Sequence, residues 1–269
     1  MGDVEQRHRA VVGVQGLNMP MTAVAIAEIA TLVTAAWLTD RNAAVGAVSV
    51  LGTMLLALVT ISSVTPVPSH RAFVLVLMLP LLSYLLRLGL PAQAFPQPSR
   101  GLFVAVLLLC SAVLVLRRSG MSRRDVGIAW PCRRHLGVES LAVFAGVATA
   151  TALFVVQRPR GFDADGLAGT SAIVLALGAT AFIEEFLFRG VLLTATLRVV
   201  TFGRGLVYTS VLYGMLSLGH QSLPTFVLTS LAAGCFGLVA RRTGSIIGVA
   251  VAHAAILLTL YVALPRFFQ

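Results

Sequence analysis

The sequence predicts an all-α, polytopic membrane protein of eight to nine transmembrane helices. Three observations carry that reading. The 269 residues are 58% hydrophobic and only 11% charged, where a soluble domain carries about a quarter charged residues. The mean hydropathy is +0.92. The charges stand in short clusters between apolar runs of roughly 20 residues, the length that spans a bilayer as a helix. All 20 basic residues are Arg, and the net charge is +10. Scattered between apolar runs, these arginines follow the positive-inside rule and do not form a basic groove. The expected partner is therefore a lipid bilayer and not nucleic acid.

Nine apolar segments follow in order, at 20–38, 43–65, 72–89, 101–116, 136–157, 167–188, 205–219, 223–240 and 245–264. The third contains Pro80 and Arg87. The seventh is weak, with Tyr213 and Ser217 inside it and His220 just past its end. The loops test the order. Arg7 and Arg9 precede the first span, His70 and Arg71 follow the second, and "RRSGMSRRDVGIAWPCRRH" follows the fourth with six arginines. Arg198 and Arg204 follow the sixth, and Arg241 and Arg242 the eighth. This alternation predicts a cytoplasmic N-terminus in a cytoplasmic (inner) membrane. The chain divides into a cytoplasmic tail at 1–18, N-terminal membrane helices at 19–116, a basic cytoplasmic loop at 117–135 and a polar-residue-bearing membrane core at 136–269. The first 18 residues mix charged and polar positions and do not read as a signal peptide.

Several chemistries have no signature here. Cys110, Cys132 and Cys235 are widely spaced and form no metal-ligand run. There is no HExxH, no GxS nucleophile with a downstream His of the rhomboid kind, and no pair of membrane aspartates. A transporter, with Glu184 and Glu185 as ion sites, would be expected to show inverted repeats or paired broken helices, and none is evident. Glu28 and Glu139 read as interfacial or packing acids, and Arg87 as a snorkelling side chain.

The stretch "AFIEEFLFRG", 181–190, is the anomaly. A charge in the hydrocarbon costs at least about 2.5 kcal/mol on insertion scales, so such groups face the bundle interior and find partners. Glu184 and Glu185 point about 100° apart on a helix. Glu185 and Arg189 are four apart, in the order that favours an ion pair. This leaves Glu184 free to act; the alternative is an interfacial cluster reaching water. His220 and His253 lie in the same half of the chain. One Glu and two His can hold a divalent metal such as zinc, or serve general-base chemistry on water without one. Both routes lead to hydrolysis in the membrane.

These residues resemble the CPBP intramembrane proteases, also called the Abi family, which includes the CAAX prenyl endopeptidase. The family's pattern is EExxxR, then FxxxH, then HxxxN or HxxxD on successive membrane helices. "EEFLFR", Glu184 to Arg189, matches the first part. "RRTGSIIGVAVAHA", 241–254, resembles the lead into the third, and "MSRRDVGIAW" the segment before the core helices. The resemblance covers roughly 120–262. It implies an endopeptidase that cleaves a membrane-associated peptide or protein. Glu184 would activate water, Glu185 and Arg189 would support it, and a second-motif His and His253 would assist. It also implies a metal held by Glu184, His220 and His253, or else no metal at all. The second motif can be placed on Tyr213 and Ser217 or on Leu216 and His220. The third needs Asn or Asp where this chain has Leu257. A catalytically impaired member acting as a membrane scaffold or binding subunit is thus the alternative. The all-Arg composition and short loops suggest a bacterial protein.

Overall fold

The computed structural model describes residues 19–90, 99–159, 161–162, 166–216 and 222–268. Among these there are helices and loops and no strands. Helix α1 spans Met19–Asp40, α2 Ala44–Val64, α3 Pro68–Val76, α4 Met78–Gly89 and α5 Ser99–Ser119. A short 3-10 turn, Arg133–His135, leads into α6, Leu136–Gln157. Helix α7, Gly166–Glu185, runs through a π-helical segment, Phe186–Leu192, into α8, Leu193–Thr196. Then come α9, Phe202–Met215, α10, Leu223–Thr243, and α11, Ile247–Leu258. The last continues through a π turn, Thr259–Ala263, into α12, Leu264–Phe268.

Among the described residues, eight segments are long and apolar enough to cross a membrane. The predicted seventh span is the exception. Helix α9 has 14 residues, about 21 Å at helical rise, which is short of the ~30 Å hydrocarbon core. The third span bends at Leu77, between α3 and α4. Pro80, three residues on, lacks the N–H that would close the ladder onto Val76 and crowds that carbonyl.

The centre of the bundle is a three-helix layer in which α11 packs against both α6 and α7. The α6–α11 crossing is close because its residues are small, as in many membrane helix pairs. A Cβ on Gly146 would lie 2.8 Å from the Ala252 carbonyl oxygen, a backbone atom that cannot swing aside. Gly146→Ala is therefore expected to destabilise the fold by about 1–3 kcal/mol. The check is a lowered thermal midpoint of the detergent-purified protein; an unchanged midpoint would show that the crossing is looser than drawn.

Two acids read as interfacial or packing residues are both buried. Glu28, midway along α1, is wholly buried and accepts a hydrogen bond from the Tyr208 hydroxyl on α9. It ties the N-terminal helices to the C-terminal ones and does not reach the interface. Glu139, in the first turn of α6, is buried against Gly248, where any Cβ would overlap its carboxyl group. Both acids are packed, and the mid-helix, wholly buried position of Glu28 removes the interfacial alternative for that residue.

Three Arg-rich loops gather at one end of the bundle. The basic segment opens on Arg117 and Arg118 in the last turn of α5, which ends at Ser119. Ser122 and Asp125 bond reciprocally: the Ser122 N–H donates to Asp125 Oδ2 at 2.8 Å, and the Asp125 N–H to Ser122 Oγ at 3.2 Å. The first of these bonds, with Arg198 nearby, holds the Asp125 carboxyl below its ordinary range. The turn then enters the protein. The Ile246 N–H donates to the Gly127 carbonyl at 3.0 Å, Thr194 Oγ1 donates to the Asp125 carbonyl at 3.1 Å, and Val126 is buried. Gly190 permits this approach, since a Cβ there would meet the Val126 carbonyl oxygen at 2.9 Å.

Candidate active site

The chain changes its winding where the charges stand. The π-helical segment begins directly after Glu185, and all seven of its residues are buried. Such wide turns are uncommon inside α-helices and recur at functional sites. Here the segment lies against α3, α5, α9 and α10 as well as its own helix, so Arg189 is held at the meeting point of both halves of the chain.

Glu185 is the fixed anchor. Arg189 Nε lies 3.1 Å from its Oε2, and both side chains are sealed from solvent. Its other oxygen, Oε1, lies 2.9 Å from His253 Nδ1 on α11. Paired with Arg189, Glu185 is a carboxylate and can only accept, so Nδ1–H is the donor. That bond sets the tautomer and turns Nε2 toward the cavity, as an outer partner does for a working histidine. The Arg189 guanidinium also sits 4.5 Å over the Tyr213 ring and 5.8 Å from the Phe236 ring centre. Cation–π attraction in a desolvated setting adds to its restraint.

Glu184 is not free. Arg87 Nη2 donates to its Oε1 at 2.7 Å. The Tyr213 hydroxyl donates to its Oε2 at 3.1 Å, and His253 Nε2 stands 3.8 Å from that same oxygen. The Tyr213 hydroxyl is also 3.3 Å from His253 Nε2, so its single proton is shared between two acceptors. Arg87 therefore does not snorkel to the interface. It reaches into the core from α4, half-exposed, and meets the acid that sequence spacing left without a partner.

Glu184, Glu185, Arg189 and His253 thus line one cavity. Arg87, Tyr213 and Leu257 line the same cavity, of about 160 Å³. His220 and Ser217 lie outside the described residues, so the rival placements of the second motif are not separated. Leu257 presents an apolar wall one turn beyond His253. Sequence reasoning gave Tyr213 only the aromatic position of one second-motif placement, and gave Arg87 a different role. A signal for Arg87 existed: after Glu185 takes Arg189, Arg87 is a basic residue inside a membrane helix, and Glu184 is one of the few acids there left to meet it, with Glu28 and Glu139.

The metal set proposed from sequence is Glu184, His220 and His253. Among the described residues, no three His, Cys, Asp or Glu side chains gather in a way that could hold a metal. Glu184 and His253 supply two donors 3.8 Å apart, wider than the ~3.3 Å between neighbouring ligands on tetrahedral zinc at ~2.0 Å. Arg87 already occupies the other Glu184 oxygen. The described residues do not by themselves fit a metal, and no step below passes through one.

Comparison with curated proteins and with solved structures returns no match. A family model does match. Its description is type II CAAX prenyl endopeptidase Rce1-like, and it covers residues 167–259. That stretch runs from α7 through α11 and holds Glu184, Glu185, Arg189, Tyr213 and His253. Residues 167–259 therefore match the Rce1-like CAAX endopeptidase family model, which is consistent with the family that the EExxxR motif resembles.

Proposed function

We propose that the protein is an intramembrane endopeptidase that hydrolyses a peptide bond in a membrane-associated peptide or protein, using water activated by Glu184. The observation that carries this reading is the cavity-facing pair of acceptors, Glu184 Oε2 and His253 Nε2, 3.8 Å apart. One water can donate a hydrogen bond to each once the Tyr213 hydroxyl, which bridges them at 3.1 and 3.3 Å, turns its proton toward the substrate carbonyl. Glu184 takes the proton as the water oxygen attacks the carbonyl carbon, the general-base step. The carbonyl oxygen becomes an oxyanion. Glu184 then returns the proton to the leaving nitrogen, the C–N bond breaks, and a carboxylate and an amine leave.

The oxyanion needs a donor. The family pattern supplies Asn or Asp after the third-motif His, and Leu257 cannot serve. The Tyr213 hydroxyl stands between Glu184 and His253, and Arg87 flanks the opening; these two supply donors where Leu257 supplies none. Losing one such donor costs roughly a hundred- to a thousandfold in kcat. Tyr213→Phe is expected to lower kcat by about that factor with little change in KM, measured on a membrane-proximal peptide with the protein in proteoliposomes. A drop in KM-dependent binding alone would assign Tyr213 to substrate packing instead. By this reading the protein sits in the cytoplasmic membrane with its Arg-rich loops inside.

One observation favours the second reading, a non-enzymatic scaffold. Glu184 is engaged by Arg87 at 2.7 Å, and the Leu257 wall is apolar. Turnover of any membrane-proximal peptide by the unmodified protein would exclude it, and its complete failure across a peptide library would exclude the peptidase.

A further inference from the structure

A second, larger cavity of about 430 Å³ opens among the three Arg-rich loops. Arg124, Arg198 and Arg241 line it, and Asp125 is the one acid on its wall. Asp125 is already engaged by Ser122 and by Arg198, whose Nη2 lies 3.5 Å away. The Arg124 and Arg241 side chains have no ion pair among the described residues. Arg189 forms part of the cavity's inner wall. It is 94% buried by its 6% exposure, and its Nη1 has no hydrogen-bond partner among the described residues. A buried guanidinium N–H without an acceptor is costly and favours an anion that can accept from it. Positive charge is therefore in excess on every side of this space.

The cavity's surroundings indicate where its ligand comes from. Trp130, on the loop that forms one wall, is 86% exposed, and the apolar Ile128 beside it is exposed too. An exposed Trp between arginine pairs is the composition of a membrane–water interface. Basic hollows between membrane helices on that side collect phospholipid headgroups.

We infer that this cleft is a binding site for a phosphate-bearing anion at the membrane face, held by Arg124, Arg198 and Arg241 with Arg189 at its floor. The phosphate belongs to an anionic phospholipid headgroup or to a soluble phosphate. Because Arg189 also holds Glu185, the bound anion stabilises the core of the bundle. The inference does not depend on the peptidase reading, since binding and not cleavage is measured.

The test is thermal unfolding of the full chain in detergent, titrated with dioctanoyl phosphatidylglycerol, dioctanoyl phosphatidylcholine or inorganic phosphate. A ligand well above its Kd stabilises in proportion to the logarithm of its concentration, so phosphatidylglycerol is expected to raise the midpoint saturably by roughly 5 °C. The rise is lost in Arg124→Gln/Arg241→Gln and kept in Arg133→Gln/Arg134→Gln, whose side chains lie outside the cleft. Phosphatidylglycerol acting alone identifies the lipid headgroup as the source. An equal saturable rise with inorganic phosphate, lost in the same cleft variant, identifies the soluble anion. No rise with either, an equal rise with phosphatidylcholine, or a rise undiminished in Arg124→Gln/Arg241→Gln would overturn the site.

Discussion

Glu184→Gln is expected to lower the rate of peptide cleavage by about a hundred- to ten-thousandfold, the range a positioned general base contributes. The substitution keeps the shape of the side chain. Its amide oxygen can still accept from Arg87 or from Tyr213, so the fold is retained and the thermal midpoint moves little. What is lost is the group that takes a proton from water. The contrast between the two readouts matters, because a collapse of both would mean only that the bundle had come apart. Cleavage at the wild-type rate would remove Glu184 from the chemistry altogether.

Arg189→Leu is expected to have the largest effect on stability. Arg189 Nε and Glu185 Oε2 are 3.1 Å apart in a sealed part of the bundle. Removing one partner of a buried ion pair leaves the other charge desolvated, which costs about 3–5 kcal/mol. The His253 N–H offsets only part of that. For a chain of this size each kcal/mol lowers the midpoint by roughly 2–4 °C, so a fall of about 10 °C is anticipated in detergent melts. Replacing both partners by apolar groups removes the stranded charge as well as the pair. The double variant Glu185→Leu/Arg189→Leu should therefore recover part of the loss while remaining inactive, since His253 Nδ1 would have no acceptor. If the double variant melted lower than the single one, the pair would not be the stabilising element proposed.

Much of this arrangement is legible in the chain itself, for reasons that are local. Apolar runs report membrane helices, because in hydrocarbon the backbone must satisfy its own hydrogen bonds. The Glu185–Arg189 pair is legible because positions four apart share a helical face. His253 is legible because a titratable group in an apolar run needs a reason to be there. The partners that periodicity could not supply are those that cross the fold. Arg87 and Glu184 are 97 positions apart, and Glu28 and Tyr208 are 180 apart. Tyr213 reads only as a motif aromatic, and its hydroxyl contacts with Glu184 and His253 emerge when α9 is laid beside α7 and α11. The π-helical winding after Glu185 has no signature in composition, and it depends on contacts from four other helices. The 14-residue length of α9 was hidden because its flanks are themselves apolar.

The arrangement divides the labour among groups that look alike in sequence. Glu185 and Arg189 form the rigid part, and Glu185 fixes His253. Glu184 borders the cavity with Arg87 on one oxygen and Tyr213 on the other. Nothing in "EEFLFR" alone distinguishes the two glutamates except the angle between adjacent helical positions, yet their surroundings differ completely: one side chain is wholly buried, and the other keeps 14% exposure.

The central claim is that Glu184 activates water against a peptide bond inside the membrane. The most direct measurement is mass spectrometry of a membrane-proximal peptide incubated, in water enriched in heavy oxygen, with proteoliposomes holding the wild-type protein or Glu184→Gln. The wild type is expected to release a fragment whose new carboxylate carries a single heavy oxygen after one turnover, and Glu184→Gln almost none. Equal release by both proteins, or no cleavage of any peptide by the wild type, would contradict it.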